Sequence, residues 1–149
     1  MIGLLQRVGR GVVRVGAEPV GEIGAGLVVL LGVERGDGEA QGARLLERLL
    51  NYRVFADAQG RMNRSLRDTG GGLLLVPQFT LAADTDSGNR PSFTPAADPA
   101  QAEALFRFIL AQAQAQHPDV ASGVFGADME VELVNQGPVT FSLRVQPDA

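Results

Sequence analysis

Hydroxyl, amide, carboxylate and arginine groups are the side chains in this sequence that could carry chemistry. The 149 residues include no Cys and no Lys, and the only His is His117. A thiolate nucleophile, a Schiff-base lysine and a multi-histidine metal site are therefore excluded. An enzyme of this composition would have to use hydroxyls, carboxylates, arginines, backbone groups or the substrate itself.

Gln78 and Thr80 form the first candidate site. The apolar run Leu73–Val76 predicts a central strand, and Pro77-Gln78-Phe79-Thr80-Leu81 follows it directly. Polar residues at the end of a buried strand are where ligand sites of α/β proteins tend to lie. A hydrogen-bonded polar pair in the core is the structural alternative, and these residues alone do not decide between the two.

The second candidate is Asn135-Gln136-Gly137-Pro138-Val139-Thr140, which interrupts two strand-like runs, Met129–Val134 and Val139–Val145. Proline lacks an amide hydrogen and fits poorly in a central ladder, while glycine allows backbone angles closed to other residues. Taken alone, the six residues favour an ordinary turn between antiparallel strands. The alternative is a kink that points carbonyl oxygens toward a ligand.

Two other places contain residues with possible functions. The loop Ala82–Pro99 is long for a segment without predicted structure, which is uncommon unless the loop is functional or disordered. Its Asp84 and Asp86 are weak evidence for a metal site, since two carboxylates rarely suffice. His117 ends a predicted helix, where the helix dipole favours it, so we expect a structural role.

Hydrophobic periodicity predicts several strands and two main helices, and no repeat, linker or second domain is evident. The domain spans 1–149, with a loosely ordered tail at 146–149. Asp37 is the expected cap of the first helix, and the polar segment Arg61–Asp68 is expected to be a loop. The predicted helices are 39–52 and 99–116, and the predicted strands are 2–8, 12–15, 20–23, 26–33, 54–56, 73–76, 123–125, 129–134 and 139–145.

Charge and hydropathy limit the partners. The net charge is −4 and no basic block occurs, which argues against DNA and against nonspecific nucleic-acid binding, but not against an enzyme that grips one end of an RNA. The longest apolar run, Ile23–Val33, is too short to span a bilayer, which takes about 20 residues. We therefore expect no membrane association and a cytoplasmic location.

The two motifs together resemble those of the bacterial D-aminoacyl-tRNA deacylases. Leu5-Gln6-Arg7-Val8 and Arg90-Pro91-Ser92-Phe93 add to the resemblance, which covers Met1 to Val145. It implies an α+β fold, a single compact domain of layered β-sheets with two main helices, and hydrolysis of the ester between a D-amino acid, or mischarged glycine, and the 3′ end of tRNA. It also implies a homodimer with active sites at the interface, no metal or organic cofactor, and help from the terminal 2′-hydroxyl of the RNA.

The resemblance also implies site residues. Gln78, Phe79 and Thr80 match the catalytic motif, although Pro77 stands where the family usually has Ser. Gly137 and Pro138 match a Gly-cis-Pro motif that reaches the partner's pocket and excludes L-amino acids, with Asn135 beside it. Arg7 matches a residue that supports this segment. Thr80 is expected to position groups rather than form a covalent acyl intermediate, because no base is evident near it.

Two other classes of function stay open on the sequence alone. One is a noncatalytic module that binds amino acids or RNA ends through Gln78 and Thr80. The other is a structural dimerisation domain.

Overall fold

The computed structural model describes residues 1–147; Asp148 and Ala149 lie outside the described residues. The strands are β1 (Ile2–Val15), β2 (Glu18–Ile23), β3 (Gly26–Gly32), β4 (Phe55–Ala56), β5 (Met62–Arg64), β6 (Gly72–Pro77), β7 (Val120–Ser122) and β8 (Met129–Arg144). The helices are α1 (Glu39–Asn51), α2 (Leu66–Thr69) and α3 (Pro99–Gln116), with a 3-10 helix at Phe79–Ala82.

Strand β1 organises the main sheet, whose order is β2-β1-β3-β6-β7, with β8 on the other side of β1. The first half of β1 pairs with β3 and the second half pairs with β2, both antiparallel. Strands β3, β6 and β7 are parallel to one another. A second small sheet joins β4 and β5.

Alternating side chains of the central strands enter two separate cores. Leu27, Val29 and Leu31 of β3 belong to a core that includes α1 and α3, whereas Val28 belongs to a second core with Leu74 of β6. Successive side chains on a strand point to opposite faces. Helices α1 and α3 therefore cover one face of the sheet, and the sheet bends so that β2 and the second half of β1 cover the other face. Burial on both faces is what the continuous apolar run of β3 predicts.

Glycine at position 21 allows the bent sheet to come close to closing on itself. A Cβ added to Gly21 would lie 2.3 Å from the carbonyl oxygen of Ser122 in β7. Only a residue without a side chain permits this approach. Strand β2 thereby packs against β7, at the far end of the sheet order.

Strand β8 runs without a break through the Gly137-Pro138 segment. It pairs with β1 on both sides of this segment, up to Asn135 and again from Thr140, and the register shifts on either side of Val8. The interpretation as an ordinary turn is therefore wrong, because both halves of the strand pair with the same neighbour. Among residues 1–147, no strand pairs with the outer edge of β8.

Three further local predictions need correction. Gly38 rather than Asp37 precedes α1 as its N-cap, because the Asp37 carboxylate accepts hydrogen bonds elsewhere. The last parallel strand is Val120–Ser122 instead of 123–125. The polar segment Arg61–Asp68 contains β5 and most of α2, which Ser65 caps by accepting a hydrogen bond from the Asp68 amide.

The predicted α+β class and single compact domain are confirmed, and α3 has the predicted bounds. The predicted loose order of 146–149 stays a prediction, since its last two residues lie outside the described residues. No helix within residues 1–147 is both long and apolar enough to cross a membrane.

A buried ion cluster joins the two ends of the described chain. The Met1 ammonium group donates hydrogen bonds to Glu34 Oε1 at 3.0 Å, Asp37 Oδ1 at 3.1 Å and the Val145 carbonyl oxygen at 2.7 Å. Arg144 Nη2 also donates to Glu34 Oε2, at 2.7 Å. Burial raises the pKa of Glu34, but hydrogen bonds and charges from Met1 and Arg144 outweigh it and hold that pKa below its ordinary value.

We predict that Glu34→Gln lowers the free energy of unfolding by about 3 kcal/mol at pH 7, because it leaves buried positive charge less compensated. Since the pKa of Glu34 is lowered by folding, its contribution is present above the unfolded pKa and is lost as the pH falls through the folded value. Urea unfolding at pH 7 and at decreasing pH below about 4.5 measures both effects.

Glu103→Gln is the matched control. Glu103 pairs with Arg107 at 2.6 Å on the exposed face of α3, and such pairs contribute less than about 1 kcal/mol. Equal destabilisation by the two substitutions would contradict the structural role of the Glu34 cluster.

Candidate active site

The motif Gln78-Phe79-Thr80 lies where β6 ends and the chain turns into the 3-10 helix. The Gln78 amide donates to the Leu31 carbonyl oxygen at 2.7 Å, which extends the β3–β6 ladder by one residue. The Gln78 side chain then donates through Nε2 to Thr80 Oγ1 at 2.5 Å. The amides of Phe79 and Thr80 open the 3-10 helix, where backbone N–H groups have no carbonyl partner within the helix.

A cavity of about 490 Å³ opens beside this motif. Its walls come from the end of β6, the start of α3, the segment between β7 and β8, and the start of β8. The lining residues are Val76, Pro77, Gln78, Phe79, Ala97, Pro99, Ala102, Phe125, Gly126, Ala127, Asp128, Met129 and Val131. Its size and mostly apolar walls are typical of a small-molecule site.

Sequence reasoning placed Gln78 and Phe79 at this cavity but missed the wall at 125–129. Thr80 is not part of the lining and lies next to it through its contact with Gln78. The sequence analysis assigned 123–125 to a strand and therefore did not place 125–129 at the site. The left-handed backbone of Gly126, with φ of 79°, marks this segment as a turn, and a glycine between strand-like runs was the available signal.

Pro77 lines the same cavity. Strand β7 pairs with β6 only as far as Leu75, so the missing N–H of proline interrupts no pairing between these two strands. The substitution of the usual Ser is therefore compatible with the sheet, and it leaves one fewer donor in the wall.

Side chains fix the Gly137-Pro138 segment from both sides. Asn135 Oδ1 accepts from the Val139 amide at 2.7 Å, and Asn135 Nδ2 donates to Thr140 Oγ1 at 2.9 Å. The peptide bond between Gly137 and Pro138 is cis. Asn135 thus bridges the bend from one half of β8 to the other.

Arg7 connects this bend to the end of α1. Its Nε donates to the Gln136 carbonyl oxygen at 3.1 Å, and its Nη1 donates to the Val54 carbonyl oxygen at 2.7 Å. One guanidinium group therefore holds the residue before Gly137 against the loop that follows α1.

The two motifs are far apart within one protomer. Pro77 pairs with Leu31, Leu31 pairs with Gly3, and the Gly137 bend lies opposite Arg7. Three strand spacings of about 4.8 Å and, at right angles to them, four residues of about 3.3 Å separate the motifs, which is a diagonal of about 20 Å along the sheet. The two motifs therefore do not lie side by side within one protomer.

The remaining candidates have structural partners. Asp84 Oδ1 accepts from the Asp86 amide at 2.9 Å, and residues 1–147 contain no cluster of three or more His, Cys, Asp or Glu side chains suited to a metal. His117 is buried at the end of α3, where its Nε2–H donates to the Gly71 carbonyl oxygen at 2.6 Å.

Comparison with known proteins gives consistent results along the whole chain. The family model described as D-Tyr-tRNA(Tyr) deacylase matches residues 4–144. A D-aminoacyl-tRNA deacylase of Thioalkalivibrio sulfidiphilus is 63% identical over 147 residues, which are 99% of each chain.

Two solved structures have the same fold. One, described as c-Myc DNA Unwinding Element Binding Protein, has a TM-score of 0.93 and 36% identity, covering 98% of this chain and 99% of its own. The other, described as a probable eukaryotic D-amino acid tRNA deacylase, has a TM-score of 0.73 and 18% identity, covering 95% of this chain and 98% of its own. The predicted family is confirmed: this chain belongs to the D-Tyr-tRNA(Tyr) deacylase family.

Proposed function

We propose that this protein hydrolyses the ester between a D-amino acid, or glycine, and the 3′ end of tRNA, releasing the free amino acid and tRNA. The observation that carries the proposal is the full-length identity of 63% to a D-aminoacyl-tRNA deacylase. The cavity beside Gln78 and Phe79 supports it, because its volume suits the terminal aminoacyl nucleoside. Such a substrate places the protein in the cytoplasm.

Stabilisation of the oxyanion falls to the backbone in this mechanism. The amides of Phe79 and Thr80 begin the 3-10 helix and are the donors proposed for the carbonyl oxygen as the ester is attacked. One such donor typically contributes about 100-fold to the rate. An aminoacyl ester is already activated, so modest stabilisation of this kind is sufficient.

Thr80 is proposed as a positioning residue. The Thr80 hydroxyl accepts a hydrogen bond from the side-chain amide of Gln78, which leaves the hydroxyl hydrogen available to donate. The amide nitrogen of Gln78 has no proton-accepting capacity, so it cannot activate Thr80 as a nucleophile. The contact therefore favours an orienting role for Thr80 over a covalent one.

The terminal 2′-hydroxyl of the RNA is proposed to assist proton transfer to and from the attacking water. The cavity lining contains one ionisable side chain, the exposed Asp128, and no His. The RNA hydroxyl thus supplies a proton-transfer group, of which the cavity lining has only Asp128. Asp128 is the competing base.

A substrate ending in 2′-deoxyadenosine should therefore be hydrolysed about 100-fold more slowly, the lower range of general acid–base contributions. Single-turnover rates on matched ribo and deoxy substrates measure the effect. An unchanged rate that is abolished by Asp128→Asn would instead assign the proton transfer to that carboxylate.

Chiral selection is proposed to come from the Gly137-Pro138 segment of a second protomer in a homodimer. The separation of about 20 Å between the motifs in one protomer supports an arrangement across two chains. Carbonyl oxygens of the segment would hold the substrate's amino group, so that an L side chain collides with the segment and a D side chain points outward. Rejection by collision can be strict while tolerance of D side chains stays broad.

With matched D- and L-aminoacyl-tRNA and no added metal, we expect rapid release of the D-amino acid and protection of the L-amino acid. The reaction should continue in chelator, since the proposed groups include no metal or cofactor. Acid-precipitable radiolabel followed over time measures both reactions. Equal, slow release of the two substrates would exclude the enzyme and favour a noncatalytic binding module.

Gly137→Ala should lower hydrolysis of D-aminoacyl-tRNA by about 100-fold, because a displacement near 1 Å in an active site has an effect of that size. Gly137 has φ of 131°, and an added Cβ would lie 2.7 Å from Val139 Cγ2 and 3.1 Å from Arg7 Nη2. Gly60→Ala is the control for a positive φ alone, since its φ of 80° also favours glycine but an added Cβ meets nothing within 4 Å.

Mixed dimers test the shared site directly. Thr80→Ala should hydrolyse slowly by itself, but when it is unfolded and refolded with Gly137→Ala, each heterodimer has one site free of both changes. Random pairing should restore about one quarter of wild-type activity. If the mixture recovers no activity, either both motifs of a site come from the same protomer or the dimer is not needed for catalysis.

The solved structure described as a DNA-unwinding-element binding protein raises duplex DNA as another ligand. The net charge of −4 and the absence of a basic block do not favour it, since duplex binding depends on phosphate neutralisation. The tRNA end is the proposed nucleic-acid partner.

A further inference from the structure

Two aromatic rings stand exposed at the outer side of the cavity. Phe79 is 57% exposed and Phe93 is 43% exposed. Their ring centroids are 5.2 Å apart and their planes are inclined by 57°. Exposed aromatic pairs on a rim commonly mark an interaction site.

Backbone hydrogen bonds fix the position of Phe93 even though its side chain is exposed. Asp84 and Ser92 exchange two of them, at 2.7 and 3.0 Å, so the long loop closes on itself just before Phe93. The Ala96 amide then donates to the Phe93 carbonyl oxygen at 3.0 Å. The ring is thus presented on an ordered backbone, which lowers the entropy lost on binding.

The same loop is fastened to the chain after β3, which brings a cation beside the rings. The Arg35 amide donates to the Pro95 carbonyl oxygen at 2.9 Å, and the Ala97 amide donates to the Val33 carbonyl oxygen at 3.0 Å. The exposed Arg35 side chain makes no hydrogen bond or ion pair with residues 1–147. Its guanidinium charge is therefore available to an anionic ligand.

A second groove, of about 520 Å³, connects these groups to the first cavity. Arg35, Phe79 and Phe93 line it, and it shares Phe79, Ala97 and Pro99 with that cavity. The one carboxylate in its lining, Asp98, accepts a hydrogen bond from the Gln101 amide at 3.1 Å. The groove thus combines two aromatic faces, one cation and an opening toward the candidate active site.

We infer that this second groove binds the unpaired nucleotides that precede the terminal adenosine of the RNA, with a base stacked on Phe93 and a phosphate held by Arg35. The inference rests on the proposed function. Single-stranded nucleic acid is bound by this combination of stacking rings and cations. An RNA whose terminal nucleoside occupies the first cavity must leave it in some direction, and the groove begins at the shared Phe79.

Comparison of Phe93→Leu with Phe93→Tyr tests the assignment. Leucine keeps an apolar side chain against Phe79 but has no ring for stacking, whereas tyrosine keeps the ring. We expect Phe93→Leu to raise KM for D-aminoacyl-tRNA about 10-fold with little change in kcat, and Phe93→Tyr to act like the wild type. The D-aminoacyl ester of adenosine alone, which lacks the preceding nucleotides, should be hydrolysed equally by all three proteins.

Binding of an uncharged RNA tetranucleotide ending in C-C-A separates this inference from the proposed hydrolysis. Fluorescence anisotropy should show weaker binding by Phe93→Leu, and Arg35→Gln should reduce the slope of log K against log salt concentration by about one. If the wild type binds this RNA through Phe93 but hydrolyses no ester, RNA binding in the second groove is confirmed and the proposed function is wrong.

Two outcomes would contradict RNA binding in the second groove. One is an equal loss for the adenosine ester and the full tRNA with Phe93→Leu, which would place Phe93 in the chemistry or in the stability of the first cavity. The other is dissociation of the oligomer by Phe93→Leu in sedimentation analysis, which would make the ring a contact between protomers.

Discussion

The ladder between β1 and β8 joins the first and last strands of the chain, and most of the site geometry depends on it. It continues along almost the full length of both strands, yet its register shifts near Arg7 and Val8. The Gly137-Pro138 segment occupies that irregular point, with Asn135 and Arg7 holding it. A regular ladder on both sides of a local irregularity makes the bend a fixed feature of the surface.

The same strand β1 also positions the other motif. Its first half pairs with β3, and β3 in turn aligns β6, whose end delivers Gln78 and Phe79 to the cavity. The shared ladder separates the two motifs by about 20 Å along the sheet of one protomer, because strand spacing and rise per residue are nearly constant. This register is what supports the proposal that two chains contribute to one site.

Sequence reasoning predicted the elements whose pattern is long and periodic. Helix α3, the buried strand β3 and the position of Gln78 after β6 follow from apolar spacing and from the polar residues that interrupt it. It failed at Asp37, whose carboxylate binds the Met1 ammonium more than thirty residues away instead of capping α1. It also failed at the 125–129 wall, where the turn at Gly126 replaces a predicted strand, and at the continuity of β8, which long-range pairing with β1 decided.

The residues of the candidate site also include some that the sequence predicted and some that it did not. Motif residues such as Gln78, Phe79 and Gly137 were identified from the sequence through the resemblance, whereas Phe93 and Arg35 come together only through hydrogen bonds between a long loop and the end of β3. Local sequence contains no signal for such a meeting. Long loops that the fold holds rigid are therefore where a sequence analysis of this chain is least complete.

The outer edge of β8 has a further consequence for the isolated protomer. Within residues 1–147 this sixteen-residue strand is paired along one side only, and Val131, Val134 and Phe141 on it are exposed. An open, apolar strand edge readily recruits other chains into disordered aggregates. Assembly into a defined oligomer that covers this edge would then protect solubility as well as complete a site, so variants that weaken assembly would precipitate as they lose activity.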